Sequence, residues 1–118
     1  GQNPLYLPQA KVYARCCALG PSVASTNTIE DPHDLEMAMS ITRDNTEIYQ
    51  ETTNTDQMVR TCEELVNTLQ NHNSLPDITV LLTGTSLVPP DDFTLQPGDI
   101  VTIEIENIGT LENPVTEV

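Results

Sequence analysis

The chain has 118 residues, one domain's worth, with 18 acidic residues against four Lys and Arg and a formal net charge of −14. A field of that sign repels phosphate backbones and anionic lipid, which argues against nucleic-acid and membrane-surface binding. Three cysteines, two of them the adjacent Cys16 and Cys17, make no disulfide framework; with no apolar span and no basic-then-apolar leader, a cytoplasmic protein is expected.

Gly1 to Pro8, with Pro4 and Pro8, reads as an extended surface segment. Lys11 to Leu19 is an apolar run interrupted by Lys11 and Arg15 and stopped by Gly20-Pro21, and its length predicts a buried strand. Glu30 to Asp34 is a polar turn. Leu35, Met37, Met39 and Ile41 alternate with Glu36, Ala38, Ser40 and Thr42, a period of two that ends at Arg43-Asp44-Asn45-Thr46. This predicts a hairpin whose return strand is Glu47 to Glu51.

Thr52-Thr53-Asn54-Thr55 supplies several N-cap residues, and Met58, Val59, Cys62, Leu65, Val66 and Leu69 then fall at helical spacing. Thr61 and Glu64 have the spacing of a capping box, so the pattern predicts a short first turn and a helix restarted to about Asn71. Ile78 to Leu82 reads as a strand running into the Thr83-Gly84-Thr85 turn, where hydroxyls and an approachable backbone N–H could hold a small anion. Pro97-Gly98-Asp99 is a tight turn, after which Val101, Ile103 and Ile105 alternate with Thr102, Glu104 and Glu106. The sum is a β-rich α+β fold of hairpins with one principal helix.

Few residues carry chemistry. Lys11 is the only lysine and stands at the head of an apolar run, where an acidic substrate would make it an electrostatic clamp and solvent would make it an ordinary snorkelling side chain. Arg15 and Arg43 read as ion-pair partners for the surplus carboxylates. Glu104 and Glu106 form an E-x-E pair, but strict alternation puts them on the face away from the core, so they read as solvated charge rather than metal ligands. His33 and His72 lie in polar loops without a partner at zinc spacing, and capping is the better role for them. The cysteines lie in apolar patterns with no histidine nearby, which gives a thiolate nucleophile little support. Scarce lysine with abundant Asp, Glu and Thr resembles proteins of salt-loving organisms.

Taken together, Asn3 to Lys11, Gly20-Pro21, the Asp31-Pro32-His33 turn, the Asn54-Thr55 helix start, Leu82 to Thr85, and Leu95 to Asp99 through Asn113 resemble the C-terminal part of the fumarylacetoacetate hydrolase family. Asn3 to Lys11 and Val88-Pro-Pro-Asp-Asp-Phe93 look closest to its branch of 2-keto-3-deoxy-pentonate dehydratases. The resemblance implies a mixed β-roll and, for the whole protein, a Mg2+-dependent dehydratase of a 2-keto-3-deoxy sugar acid. Hydrolysis of a C–C bond in an acylpyruvate and decarboxylation of a 2-oxo diacid are the alternatives within the family. It also implies that Lys11 matches the family's active-site lysine, while Gly84 and Thr85 match the pair that contacts the substrate's acidic end.

The family's metal ligands, an E-x-E pair and an aspartate, precede that lysine, and the ten residues before Lys11 hold no carboxylate. Residues 1–118 are therefore expected to form the C-terminal portion of a single catalytic domain that lacks the upstream metal-ligand segment, with no metal site of its own and no magnesium bound by this chain alone. A further reading of another class makes the 118 residues a catalytically empty scaffold or subunit interface. A small-molecule 2-oxo acid is the expected partner of the whole protein, and family members being commonly dimeric, so is a second copy.

Overall fold

The computed structural model describes residues 11–117. Four strands form one antiparallel sheet: β1 (Glu36–Arg43), β2 (Thr46–Asn54), β3 (Ile100–Ile105) and β4 (Gly109–Pro114), in the order β2-β1-β3-β4. One helix, α1 (Cys62–Gln70), lies in the connection between β2 and β3. The β-rich α+β architecture expected from the sequence is thus present.

The first hairpin turns on Asp44 and Asn45, both left-handed at φ 50° and 60°. Two consecutive residues with positive φ give the primed turn that matches strand twist, and Asp and Asn tolerate it better than most side chains. The register slips between Ile41 and Thr42, so Ile41 pairs with Tyr49 while Thr42 pairs with Glu47. At the same end of the sheet, beside Arg43, Asp99 N–H donates to the Gln96 carbonyl at 3.0 Å, with Pro97 and Gly98 between them and Gly98 at φ 91°. That is a type II turn, whose third residue favours glycine. It delivers Ile100 to β3 in register with Thr42 and Pro114.

The period-two alternation sorts the two faces. Glu36 and Ala38 of β1 share the outer face with Glu104, and exposed Glu106 follows just beyond β3. Met37, Met39 and Ile41 stand on the other face, opposite Ile105, Ile103 and Val101. The core of the described residues is small: Ile41 (2% exposed), Leu35, Leu87 and Asp99 are the buried side chains. With so little core, self-repulsion among surface carboxylates is a large opposing term. Raising salt from about 0.1 M to about 2 M shortens the screening length from about 10 Å to below 3 Å. The thermal unfolding midpoint should therefore climb with potassium chloride, and a midpoint that ignores salt would exclude a halophilic adaptation.

The helical region divides as its spacing predicts. A single 3-10 turn (Thr55–Gln57) is capped by Asn54, whose side-chain oxygen accepts from Asp56 N–H at 2.8 Å. α1 then starts at a reciprocal capping box in which Glu64 N–H donates to Thr61 Oγ1 at 3.1 Å and Thr61 N–H donates to Glu64 Oε2 at 2.8 Å. Met58, Cys62, Leu65 and Leu69 are half-buried, whereas Val59 is 99% exposed and Val66 is also exposed. The buried stripe is narrower than the hydrophobic pattern predicts.

Two expected strands do not form. Residues 11–19 are irregular and exposed, with a turn closed by Cys16 N–H on the Tyr13 carbonyl at 3.2 Å and Arg15 at φ 59°. Ile78 to Leu82 is likewise irregular, and Ile78 is 89% exposed. Both runs have the residues of a strand, but a strand also needs a neighbour for its N–H and C=O groups and a cover for its side chains. No described residue provides either. The Gly1 to Pro8 segment lies outside the described residues.

Candidate functional site

A cleft of about 520 Å3 opens on the face of the sheet opposite Glu36 and Glu104. Its floor follows from register: Met37 pairs with Thr53 on one side and with Ile105 on the other, so the three side chains lie in a row across β2, β1 and β3. Met58 and Cys62 close one flank. Thr83, Gly84, Thr85 and Ser86 form the other. No described residue lining the cleft is charged.

Gly84 is left-handed at φ 85°, and a Cβ built there would meet nothing within 4 Å. Glycine is favoured by the backbone conformation rather than by crowding. Thr85 Oγ1 accepts from Leu87 N–H at 3.0 Å, and the buried Leu87 pins the end of the turn. The Thr85 hydroxyl keeps its own proton to donate. Among the described residues no protein acceptor takes the N–H of Gly84 or Thr85. A small acidic group set against this turn would meet those donors beside an apolar floor, an arrangement suited to a short organic acid.

The sequence-predicted residues are not all brought together. Gly84 and Thr85 line the cleft; Lys11 is exposed, accepts from Cys16 Sγ–H through its carbonyl at 3.1 Å, and is not one of the lining residues. Glu104 and Glu106 stand outside it, as the alternation predicts. Thr53, expected only as a candidate N-cap, stands in β2, and Ser86 is not among the sequence-predicted residues, yet their hydroxyls lie 3.1 Å apart in the cleft. The signal for Thr53 was the hairpin phase. The slip after Ile41 hides it, because it shifts the pairing by one residue.

His33 acts as a cap. Its Nε2 accepts from Cys62 N–H at 2.9 Å, its backbone N–H donates to Asp31 Oδ1 at 2.8 Å, and Nδ1 lies 3.5 Å from the same oxygen. His72 takes the left-handed position just past the end of α1, at φ 59°. Neither histidine lines the cleft, but His33 sets the end of the helix that does.

The strongest electrostatic feature serves the fold. Arg43 Nε donates to Asp99 Oδ1 and Nη2 to Asp99 Oδ2, both at 2.8 Å, and Nη2 also donates to the Thr94 carbonyl at 3.1 Å. Gln96 N–H adds a third donor to the carboxylate at 2.8 Å. The Arg43 hydrogen bond is the main reason the Asp99 carboxyl is held down at about 2, against the opposing effect of burial, with the Gln96 N–H adding to the lowering. The same bond raises Arg43. On β2, the Tyr49 hydroxyl donates to Glu51, which raises the tyrosine.

Magnesium, which the sequence resemblance implies for the whole protein, finds no cradle among the described residues. Among the described residues no group of three or more His, Cys, Asp or Glu side chains is placed to hold a metal ion. The donors of the cleft are hydroxyls, amides and a thiol, a poor set for a hard cation that prefers carboxylates and water.

A four-stranded antiparallel sheet with a Thr-Gly-Thr turn lining the cleft on one face is the arrangement to set beside known proteins. The family model for the fumarylacetoacetate (FAA) hydrolase C-terminal region matches residues 2–116, and the chain belongs to that family. Within it, the chain is 59% identical over 118 residues to the "Probable 2-keto-3-deoxyxylonate dehydratase" of Haloferax volcanii, covering 100% of this chain and 41% of that protein. It is 45% identical over 114 residues to the 2-dehydro-3-deoxy-D-arabinonate dehydratase of Saccharolobus solfataricus, covering 97% of this chain and 38% of the relative. The solved structure of a 2-keto-3-deoxy-D-arabinonate dehydratase complexed with magnesium and 2,5-dioxopentanoate superposes with a TM-score of 0.95 at 44% identity, over 98% of this chain and 41% of that one. The chain thus spans about two fifths of the length of these relatives.

Proposed function

We propose that the whole protein carrying this chain is a magnesium-dependent dehydratase of a 2-keto-3-deoxy-pentonate. The observation that carries this reading is the 59% identity running the full length of the chain to a relative named for that activity. The uncharged cleft with its Thr-Gly-Thr donors supports it, since a 2-oxo acid offers a carboxylate to the turn and a short carbon chain to the Met37 and Ile105 floor. In this reading Gly84 and Thr85 bind the acidic end of the substrate. Lys11 supplies the ammonium that stabilises negative charge developing on the 2-oxo group.

The overall reaction removes one proton from C3 and the hydroxyl from C4 as water; two tautomeric proton shifts, one from C5 to C3 and one from the C5 hydroxyl to C4, then leave an aldehyde at C5. No oxidant or reductant is needed, and the product is 2,5-dioxopentanoate. Residues 1–118 form the C-terminal portion of one catalytic domain, and the magnesium ligands come from the part of the protein outside it. The protein works in the cytoplasm as a homodimer, in which a second copy covers apolar surface left open here.

The direct test is to supply the full-length protein and magnesium with a 2-keto-3-deoxy-pentonate, and to follow the aldehyde by coupling it to an aldehyde dehydrogenase. Reduced nicotinamide should appear one for one with acid consumed. Cleavage of an acylpyruvate in a parallel assay, with the pentonate untouched, would replace the dehydratase by a C–C hydrolase.

A further inference from the structure

We propose that Thr53 and Ser86 are positioning residues whose shared hydroxyl hydrogen bond holds the Thr83 to Thr85 turn in the conformation that receives the substrate's acidic end. The inference rests on the dehydratase reading above and extends it to two residues outside the turn that binds.

Residues 83–86 belong to no strand or helix, and Gly84 sits at φ 85°, so the backbone there has no ladder to hold it. Among the described residues Thr85 Oγ1 bonds to the Leu87 N–H two residues on and to nothing else, which stiffens the turn locally without fixing it to another element. Among the described residues, one hydrogen bond joins residues 83–86 to another element, the 3.1 Å contact between Ser86 Oγ and Thr53 Oγ1. Thr53 is half-buried near the C-terminal end of β2 and is held beside Met37 by the sheet register.

The bond therefore ties a free turn to a fixed strand at the point where both face the cleft. Either hydroxyl can donate, so the link survives rotation of one partner and is lost when either oxygen is removed. A turn that must be ordered at each encounter binds more weakly, because part of the binding free energy goes into ordering it. The chemistry at the far end of the substrate is unaffected.

Three variants of the full-length protein test this: Thr53→Val, which keeps the shape and removes the hydroxyl, Ser86→Ala, and Thr53→Ser, which keeps the bond. Thr53→Val and Ser86→Ala should each raise KM for the 2-keto-3-deoxy-pentonate roughly fivefold, the size of one net hydrogen bond, with kcat within about twofold of the parent. Thr53→Ser should behave as the parent, and the double variant should be no worse than either single one, because both remove the same bond. Amide hydrogen exchange at Gly84 and Thr85 should quicken in the two disrupting variants only. Unchanged KM, or two additive losses, would overturn the positioning role even if exchange quickens. A parent protein that turns over no pentonate would sink the dehydratase reading instead; the exchange rates would then decide the tie on their own, and unchanged rates would overturn it.

Discussion

Arg43→Ala should lower the thermal unfolding midpoint by at least about 10 °C, the largest stability loss expected of any single side chain in the described residues. The guanidinium meets both oxygens of Asp99, which is 1% exposed, and the same group reaches the Thr94 carbonyl. Removing it leaves a carboxylate sealed from water with a single N–H for company, and that is far worse than never having buried the pair. Arg43→Lys should recover only part of the loss, because an ammonium cannot span two oxygens and a carbonyl in one plane. The sign of the pH dependence follows from the depressed Asp99 carboxyl, which falls from 3.8 to about 2 in the fold. Its contribution is fully present above pH 4 and drains away as pH drops through 2, since the unfolded chain takes up the proton first. In Arg43→Ala that segment of the acid-denaturation curve should flatten. A variant that melts with the parent and keeps its acid slope would show that β1 and the Gln96 turn are held together by packing alone.

How far the sequence discloses this molecule depends on the range of the interactions involved. Local chemistry is legible. The Asp44-Asn45 turn, the Thr61 and Glu64 capping box, the Pro97-Gly98 turn and the outward Glu104 are each decided within a few residues, and each is found where its pattern predicts. Arg43 is legible as an ion-pair partner but its carboxylate is not, because 56 residues separate Arg43 from Asp99 and only the sheet brings them together. Lys11 to Leu19 and Ile78 to Leu82 have strand composition without strand structure, because pairing is a property of a neighbour and not of the segment itself. The cleft is half legible in the same sense. The Thr-Gly-Thr turn announces itself, whereas its opposite flank is set by a one-residue slip in the hairpin and by His33 holding the first N–H of α1 from 29 residues away.

Lys11→Met in the full-length protein should cut kcat by two to three orders of magnitude, on the scale of removing one preorganised donor from a developing oxyanion. Methionine matches the length of the lysine stem and drops only the charge, so packing is not the variable. Lys11 is exposed here, and exposed substitutions shift stability little, so the unfolding midpoint should stay with that of the parent. The pairing of a large kinetic loss with an unmoved midpoint is what separates a catalytic ammonium from a structural one. Lys11→Arg sharpens the test, since guanidinium keeps the positive charge but spreads it over a wider, planar fork. It should recover affinity for the anionic substrate more than it recovers kcat. The outcome that would sink the role is turnover by Lys11→Met within about tenfold of the parent. The single lysine would then be one more solvated cation on an acidic surface, and the charge that stabilises the enolate would have to come from another group of the whole protein.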